Sequence, residues 1–138
     1  MAGGGNQVLN YVRPEDIDDC WGFIEPGIGE ALAYFHDLYS PEDIRTDLKN
    51  GDKQLWIIPE QLTVITSIEL YPRGKVLRVF SVSGSGLETW FDTALEFCEN
   101  LARLNGCRML ISTGRSGWSR HTKRHGLKQF AEYRKEIL

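Results

Sequence analysis

Lys75-Val-Leu-Arg-Val-Phe-Ser-Val82 is an apolar, β-branched run that leads into Ser83-Gly-Ser-Gly86 and then into an amphipathic segment, Leu87 to Leu104. This order predicts a strand, a glycine-rich loop and a helix. Such a loop presents backbone N–H groups at the positive end of a helix, where phosphate and other anions bind. The glycines let the backbone approach a ligand closely. The sequence therefore places a candidate binding site at this junction.

The segment after the loop carries the clearest helical pattern in the chain. Its apolar residues form one broad stripe at helical spacing, namely Leu87, Trp90, Phe91, Ala94, Leu95, Cys98, Leu101, Ala102 and Leu104. Asn105-Gly106 predicts the end of this helix, and Arg108 to Ser112 predicts a further strand. A strand, a helix and a strand in this order form a right-handed crossover between parallel strands. We therefore expect the strands around Val79 and Leu110 to be parallel neighbours that separate toward Ser83.

The rest of the chain predicts helices and strands around this unit. Pro14 and Ser40-Pro-Glu-Asp43 each begin a helix with an acidic first turn, and Pro26-Gly27 predicts a break before a second short helix. That second helix carries Ile28, Leu32 and Phe35. The predicted strands are Gln7 to Val12, Gln54 to Ile58, Leu62 to Tyr71, Val76 to Val82, Arg108 to Ser112 and Leu127 to Ile137. Arg115 to His125 predicts a last helix, which Gly126 stops.

The predicted fold class is α/β (α+β), with a mixed sheet of about six to seven strands flanked by helices. The chain of 138 residues suffices for one domain, which we expect to span residues 7–138 behind a disordered lead of residues 1–6. No apolar run approaches the ~18 residues that a membrane span needs. Three cysteines without C-x-x-C spacing argue against a disulfide framework and a zinc site, and they favour a reducing, cytosolic compartment.

The net charge of −3 hides an asymmetry along the chain. Residues 14–47 hold ten acidic side chains and one basic side chain, whereas the C-terminal part is basic. Arg115, Arg120, Lys123 and Arg124 form either a solvated helix face or a surface for an anionic ligand or partner. Few aromatic residues are interleaved with them, which argues against nucleic acid as the partner. His36, His121 and His125 lack metal-ligand spacing, so no metal is expected.

The order of elements, with a glycine loop between the fourth strand and the long helix, resembles the Gcn5-related N-acetyltransferase (GNAT) fold over nearly the whole chain. In that family the loop follows an Arg/Gln-x-x-Gly-x-Gly/Ala pattern, and its amides hold the pyrophosphate of acyl-coenzyme A. The corresponding residues here are Ser81-Val-Ser-Gly-Ser-Gly86. Gly84 and Gly86 match the pattern, whereas Ser81 stands where Arg or Gln is usual. The resemblance thus implies that Val82, Ser83, Gly84, Ser85 and Gly86 bind acetyl-CoA.

Two residues near the loop bear on whether an anion binds there. Ser85-Gly-Leu-Glu88 fits a capping box, so the loop could equally be an ordinary helix start. A carboxylate at Glu88 would also repel a diphosphate on the same amides. If the loop does hold the coenzyme, Gly84→Asp is expected to abolish binding with only a modest loss of thermal stability.

Two further residues are candidates for proton transfer. Near the C-terminus, Gly126-Leu127 resembles the Gly-Phe of the family, and Thr122 falls where the family's tyrosine protonates the leaving thiolate. His121 lies one position away and could serve as the acid instead. Glu69 is a candidate general base if burial raises its pKa. The alternative is a polar residue on the solvent face of a half-buried strand.

A narrower resemblance concerns small GNAT-like proteins of bacteriophages and prophages. It rests on Gly114-Arg-Ser-Gly-Trp-Ser-Arg120, on Tyr11-Val-Arg-Pro-Glu-Asp16 and on Ser40-Pro-Glu-Asp-Ile44. It implies a non-catalytic, virion-associated assembly protein in the host cytoplasm or the virion, with phage structural proteins or its own copies as partners. The departures from the family pattern at Ser81 and Thr122, and the carboxylate of Glu88, indicate a degenerate coenzyme site and favour this non-catalytic function. The intact Gly84-x-Gly86 favours the alternative, an acyl-CoA-dependent N-acetyltransferase acting on a primary amine.

Overall fold

The computed structural model describes residues 9–33, 38–113 and 119–138, without the side chains of residues 87, 88 and 119. In chain order its elements are β1 (Asn10–Val12), a 3-10 turn (Pro14–Asp16), α1 (Ile17–Leu32), α2 (Pro41–Asn50), β2 (Gln54–Ile58), β3 (Leu62–Tyr71), β4 (Gly74–Gly84), α3 (Leu87–Leu104), β5 (Cys107–Ser112) and α4 (Ser119–Arg124). The sheet runs β1-β2-β3-β4-β5. All neighbouring strands are antiparallel except β4 and β5, which are parallel.

The mixed α+β sheet is confirmed, but the expected number of strands is wrong for the described part of the chain. The sheet there has five strands. The segment from Leu127 to Ile137 was expected to add a strand, yet it has no regular secondary structure. Its alternating pattern is typical of a strand, but no described strand of this sheet pairs with it. An extended segment is stable as a strand only when its backbone N–H and C=O groups are paired.

Helix α1 passes through Pro26-Gly27 without the predicted break. A proline inside a helix costs about 3 kcal/mol, because it removes a hydrogen bond and clashes with the preceding turn. Burial offsets this cost, since one apolar stripe continues across the proline: Ile17, Trp21, Ile24, Ile28 and Leu32 are all buried. Phe35, the remaining member of the predicted second helix, lies outside the described residues.

The predicted start of α2 is confirmed. The Ser40 hydroxyl accepts a hydrogen bond from the Asp43 backbone N–H, and the Asp43 carboxylate accepts one from the Ser40 N–H at 2.8 Å. Gly51 ends the helix in the left-handed conformation, with φ 83°.

The sheet separates two apolar cores. Helices α1 and α2 cover one face, where Ile65 and Phe80 join their buried side chains. Helix α3 covers the other face through Ala94, Cys98 and Ala102, against Leu77 and Val79. Strand β4 therefore contributes to both cores and runs toward the loop at the start of α3, where the candidate site lies.

Candidate active site

Strand β4 pairs with β5 along only part of its length. Lys75–Val79 pairs in parallel with Cys107–Ser112, and the pairing stops there, although β4 continues to Gly84 alongside β3. Among the described residues, no strand pairs with the β5-facing edge of Phe80–Gly84. This confirms the expected parallel neighbours, whereas their parting toward Ser83 stays a prediction, because residues 114–118, which follow β5, lie outside the described residues. Beyond Val79 the β4 backbone could hydrogen-bond a ligand, and we call the region beside it, past the end of β5, the cleft.

A β-bulge lies where the two strands part. Thr66 pairs with Val79, whereas the preceding residue, Ile65, pairs with Ser81, so Phe80 is an extra residue in β4. A bulge bends its strand and increases the local twist. Phe80 is anchored in the core under α1 and α2, and Tyr39 contacts its ring edge-on with 5.2 Å between ring centroids. This anchor holds the bend in place.

Ser81 follows the bulge, at the position where the family pattern has Arg or Gln. Its side chain is buried, with 5% of its surface exposed. No described protein group hydrogen-bonds its hydroxyl. Buried polar groups are rarely left unpaired. The hydroxyl can therefore still donate a hydrogen bond to a ligand or accept one from it.

The loop at the end of β4 presents the start of an 18-residue helix. Gly86 is the N-cap residue, with φ 66° and no side-chain cap, so the predicted Ser85-to-Glu88 capping box is wrong. The left-handed turn at Gly86 moves the helix start past Ser85, whose N–H instead donates to the Gln61 carbonyl at 3.1 Å. The first N–H groups of any helix lack partners within the helix. Here Gly84, Ser85 and Gly86 are exposed, so an anion has access to that helix end.

The packing of the sheet requires Gly84, and its predicted close approach to phosphate stays a prediction. A Cβ at this position would lie 2.2 Å from the Gln61 carbonyl oxygen, which belongs to the backbone just before β3. Gly84 also pairs with Leu62 in the sheet. A side chain here would push β3 and β4 apart. The expectation that Gly84→Asp costs little stability is therefore wrong.

Helix α4 is tied to the first half of α3, close to the loop. The His121 ring is 5% exposed and stacks on Phe91, with centroids 4.8 Å apart. Arg124 and His125 each place a nitrogen 2.8 Å from the same Asp92 oxygen. The hydrogen bonds from His125 and then Arg124 hold the pKa of Asp92 below its usual value. Burial against Phe91 keeps His121 from solvent, and its role as an acid stays a prediction.

The predicted basic surface is only partly described. Arg120, Lys123 and Arg124 are exposed on α4, whereas Arg115 lies outside the described residues. Arg124 is engaged with Asp92, and its guanidinium also lies 2.9 Å from the Nδ1 atom of His121. This residue therefore fixes α4 to α3. Its binding to a partner stays a prediction, as does that of the other three.

Glu69 lies on β3, opposite Val76 of β4, and is held by two neighbours. Its carboxylate accepts hydrogen bonds from the Tyr71 hydroxyl at 2.9 Å and the Arg78 Nε at 2.6 Å. The same guanidinium reaches the Thr113 hydroxyl, just beyond β5, at 3.4 Å. Burial raises the pKa of Glu69, but these hydrogen bonds outweigh it and the net pKa is lowered. The condition set for Glu69 as a general base, a pKa raised by burial, is therefore not met, and the carboxylate is ionised at neutral pH.

The part of the chain that the structure describes contains neither a metal site nor a membrane-spanning helix. No group of three or more His, Cys, Asp or Glu residues there is arranged to hold a metal ion. No helix there is long and apolar enough to cross a membrane. His36 lies outside the described residues, and the side chain of Glu88 is not described.

The chain shares its fold with solved acetyltransferases, although no protein-family model and no curated protein matches its sequence. A GCN5-related N-acetyltransferase from Ralstonia eutropha JMP134 superposes with a TM-score of 0.70 at 15% identity, covering 94% of this chain and 97% of that one. A predicted acetyltransferase with acetyl-CoA from Clostridium acetobutylicum has a TM-score of 0.65 at 12% identity, covering 94% and 96%. Glucosamine-6-phosphate N-acetyltransferase from Arabidopsis thaliana has a TM-score of 0.60 at 12% identity, covering 94% and 97%. At these identities the comparisons establish the GNAT fold, and none of them supports a phage or virion origin.

Proposed function

We propose that this protein binds acyl-CoA in the cleft between β4 and β5 and transfers the acyl group to a primary amine. The observation that carries the proposal is that, among the described strands, β5 stops pairing with β4 at Val79, whereas β4 continues beside β3 to Gly84 and leads into the helix start at Gly86. An extended ligand with amides and a diphosphate needs an open strand edge followed by an anion site. Here the end of β4 supplies both the strand edge and the anion site.

Several groups of the chain fit such a ligand. The N–H groups at the start of α3 would bind the diphosphate, and Ser83 and Ser85 flank them on the loop. The β4 backbone beyond Val79 would hydrogen-bond the amides of the ligand's arm. The buried Ser81 hydroxyl gains a partner if the ligand reaches past the bulge. Acyl-CoA would supply an activated thioester carbonyl.

Glu69 is the residue we assign to remove the proton from the attacking amine, directly or through one water. It is ionised at neutral pH, and Arg78 and Tyr71 fix its orientation. Its lowered pKa makes it a weak base, so the chain contributes mainly by positioning the reactants. Thr122, which stands at the tyrosine position, has no acidic side chain at neutral pH. His121 remains the residue assigned to protonate the leaving thiolate.

The proposed reaction is tested by incubating the full chain with acetyl-CoA and a panel of primary amines: spermidine, amino acids, glucosamine 6-phosphate and a peptide with a free N-terminus. We expect release of coenzyme A thiol together with one acetylated amine detected by mass spectrometry. Glu69→Gln should lower kcat by about 10²-fold, the lower end of what a general base contributes. The KM for acetyl-CoA should stay within a factor of ~2, because the mutated side chain lies away from the diphosphate site.

Glu132→Gln provides the matched control, because Glu132 is an exposed carboxylate outside the sheet and should leave the rate unchanged. If no amine in the panel is acetylated above the uncatalysed rate, the transferase assignment is contradicted. If the Glu69 variant keeps the full rate, the base has been assigned to the wrong residue.

A further inference from the structure

A cavity of about 300 Å³ lies on the α3-facing side of the sheet, at the opposite end of α3 from the glycine loop. Four strands and the end of the helix line it with Tyr11, Gln54, Trp56, Ile68, Leu77, Leu101 and Asn105. Helix α3 has 18 residues, and a helix rises by about 1.5 Å per residue, so about 27 Å of helix separates the cavity from the candidate active site. The cavity is therefore a separate place in the fold.

The aromatic wall of this cavity is held on three sides. The Tyr11 ring lies 5.0 Å from the Trp56 ring, and the Phe97 ring contacts Trp56 edge-on at 5.1 Å, both measured between ring centroids. The Trp56 indole N–H donates to the buried Thr66 hydroxyl at 3.0 Å. Because that N–H is used, the indole contributes only aromatic surface to the cavity. Its position is fixed before any ligand binds, as is usual for the walls of ligand sites.

Two carboxamide side chains supply the hydrogen-bonding groups of the cavity. The Gln54 Oε1 accepts from the Thr66 hydroxyl at 3.1 Å, and the Asn105 Nδ2 donates to the Leu101 carbonyl at 2.8 Å. These bonds orient both amides. Among the described residues, none bonds to the Gln54 Nε2 or to the Asn105 Oδ1. The cavity therefore offers a ligand one amide donor group and one amide acceptor.

The lining also selects against charge. None of the described residues that line the cavity is Asp, Glu, Lys, Arg or His. An ion placed there would lose its hydration without gaining a partner of opposite charge, which is costly. Ile68, Leu77 and Leu101 add apolar surface instead. The ligand that fits is uncharged, has a flat ring for Trp56, and has both a hydrogen-bond acceptor and a donor on its edge.

The volume limits the size of this ligand. At about 30 Å³ per water molecule, the 300 Å³ cavity has the volume of about ten waters, which corresponds to roughly ten non-hydrogen atoms. A purine base has this size, and it is planar and uncharged at neutral pH. Adenine also carries ring-nitrogen acceptors beside an amino donor. Asn and Gln bind adenine with one amide donor and one amide acceptor, the pair that this cavity offers.

We propose that this cavity binds a purine base, with adenine as the reference ligand. The base would stack on Trp56, accept a hydrogen bond from the Gln54 Nε2 at a ring nitrogen and donate its amino group to the Asn105 Oδ1. Tyr11 and Ile68 are 47% and 37% exposed, so the cavity opens to solvent beside them. A sugar attached to the base would leave through this opening. The inference does not depend on acyl transfer, because it involves no group of the cleft.

Titration of the ¹⁵N-labelled full chain with adenine, followed through the tryptophan indole N–H signals, tests the proposal. The Trp56 signal, identified by its loss in Trp56→Phe, should shift in a saturable way. We expect a dissociation constant below about 1 mM, as is reasonable for a ligand of this size. Benzoate is planar and of similar size but charged, so it should bind at least about tenfold more weakly.

Two further ligands and variants locate the base and its source. AMP carries the same base with a charged phosphate, and it should bind no more tightly than adenine, because no cation lines the cavity. Binding of AMP that is tenfold tighter would overturn the assignment to an uncharged ligand. Ser85→Asp, in the loop at the other end of α3, should leave the adenine affinity unchanged. A loss of adenine binding in that variant would mean that adenine binds at the loop, which also overturns the proposal.

Gln54→Glu tests the amide donor. It keeps an oxygen that can accept from the Thr66 hydroxyl, but it replaces the N–H₂ group with a carboxylate oxygen. Adenine binding should weaken by at least about tenfold, because a donor is lost and a charge is added. Gln129→Glu makes the same chemical change at an exposed residue outside the cavity and is the matched control. It should bind adenine as tightly as the parent.

Ile68→Trp tests the place of binding by filling the mouth of the cavity, and it should abolish the shift of the Trp56 signal. Leu70→Trp is its matched control, because Leu70 lies two residues along the same side of β3, is 81% exposed and does not line the cavity. That control should bind adenine as the parent does. No shift of the Trp56 signal up to the solubility limit of adenine, benzoate binding as tightly as adenine, or full binding by Gln54→Glu or Ile68→Trp would each overturn the proposal.

Discussion

Gly84→Ala is expected to lower the free energy of unfolding by about 1–3 kcal/mol, the usual cost of forcing extra atoms into a packed site. The added Cβ would meet the Gln61 carbonyl oxygen at 2.2 Å. That carbonyl cannot retreat easily, because it also accepts the Ser85 N–H, and the neighbouring Leu62 pairs with Gly84 itself. Urea denaturation of parent and variant measures the difference.

Gly29→Ala is the matched control for this substitution. Gly29 lies in α1, is exposed and has no atom within 4 Å of an added Cβ. Alanine there should stabilise the protein by about 0.5–1 kcal/mol, because it favours the helix over the unfolded chain. Equal effects of the two substitutions would contradict the close contact between β3 and β4. That result would mean that Gly84 is needed to let a ligand approach the backbone closely.

Ser85→Asp is expected to weaken acetyl-CoA binding by at least about tenfold without changing the melting temperature by more than ~2 °C, a shift within the range of a surface substitution. Ser85 is exposed on the loop, and its hydrogen bond to the Gln61 carbonyl uses the backbone N–H, which aspartate retains. The new carboxylate would compete for the helix N–H groups and repel the diphosphate. Titration calorimetry measures the dissociation constants.

Ser85→Asn separates charge from size in this experiment. Asparagine has nearly the volume of aspartate but no charge, so it should bind acetyl-CoA within about threefold of the parent, a difference below ~1 kcal/mol. If the two variants bind equally well, the start of α3 is not the diphosphate site. If the two bind equally poorly, the side-chain volume at Ser85 decides the effect, and the electrostatic argument fails.

The parts of the fold that depend on local signals could be predicted from the sequence. The run from Lys75 to Leu104 carries its own strand pattern, loop glycines and helical stripe, and the parallel crossover follows from their order. The start of α2 could equally be predicted, because Ser40 and Asp43, which form its capping box, are only three residues apart. These features need no knowledge of distant residues.

The features that could not be predicted from the sequence depend on contacts between residues that are far apart in the chain. Whether Pro26 breaks α1 depends on the sheet that buries its stripe. Whether Glu69 has a raised or lowered pKa depends on Arg78, nine residues away and on the next strand. The bulge at Phe80 appears only when the register of β3 against β4 is known. No short-range pattern reports such contacts.

The last strand was predicted wrongly for a different reason. The segment from Leu127 to Ile137 has the pattern of a strand, and the prediction identified that pattern. A pattern specifies which face is buried but not which edge the strand joins. Among the described residues only β4 pairs with β5, so the pattern alone did not show whether this segment would join the sheet.

The central claim is that the β4–β5 cleft and the start of α3 bind acyl-CoA. Titration calorimetry of the full chain with acetyl-CoA tests it most directly. We predict saturable binding at one site per chain with a dissociation constant of about 1–100 µM, an ordinary range for an enzyme and its substrate, and competition by free coenzyme A. No heat of binding up to millimolar acetyl-CoA, together with an unchanged melting temperature at that concentration, would contradict the account.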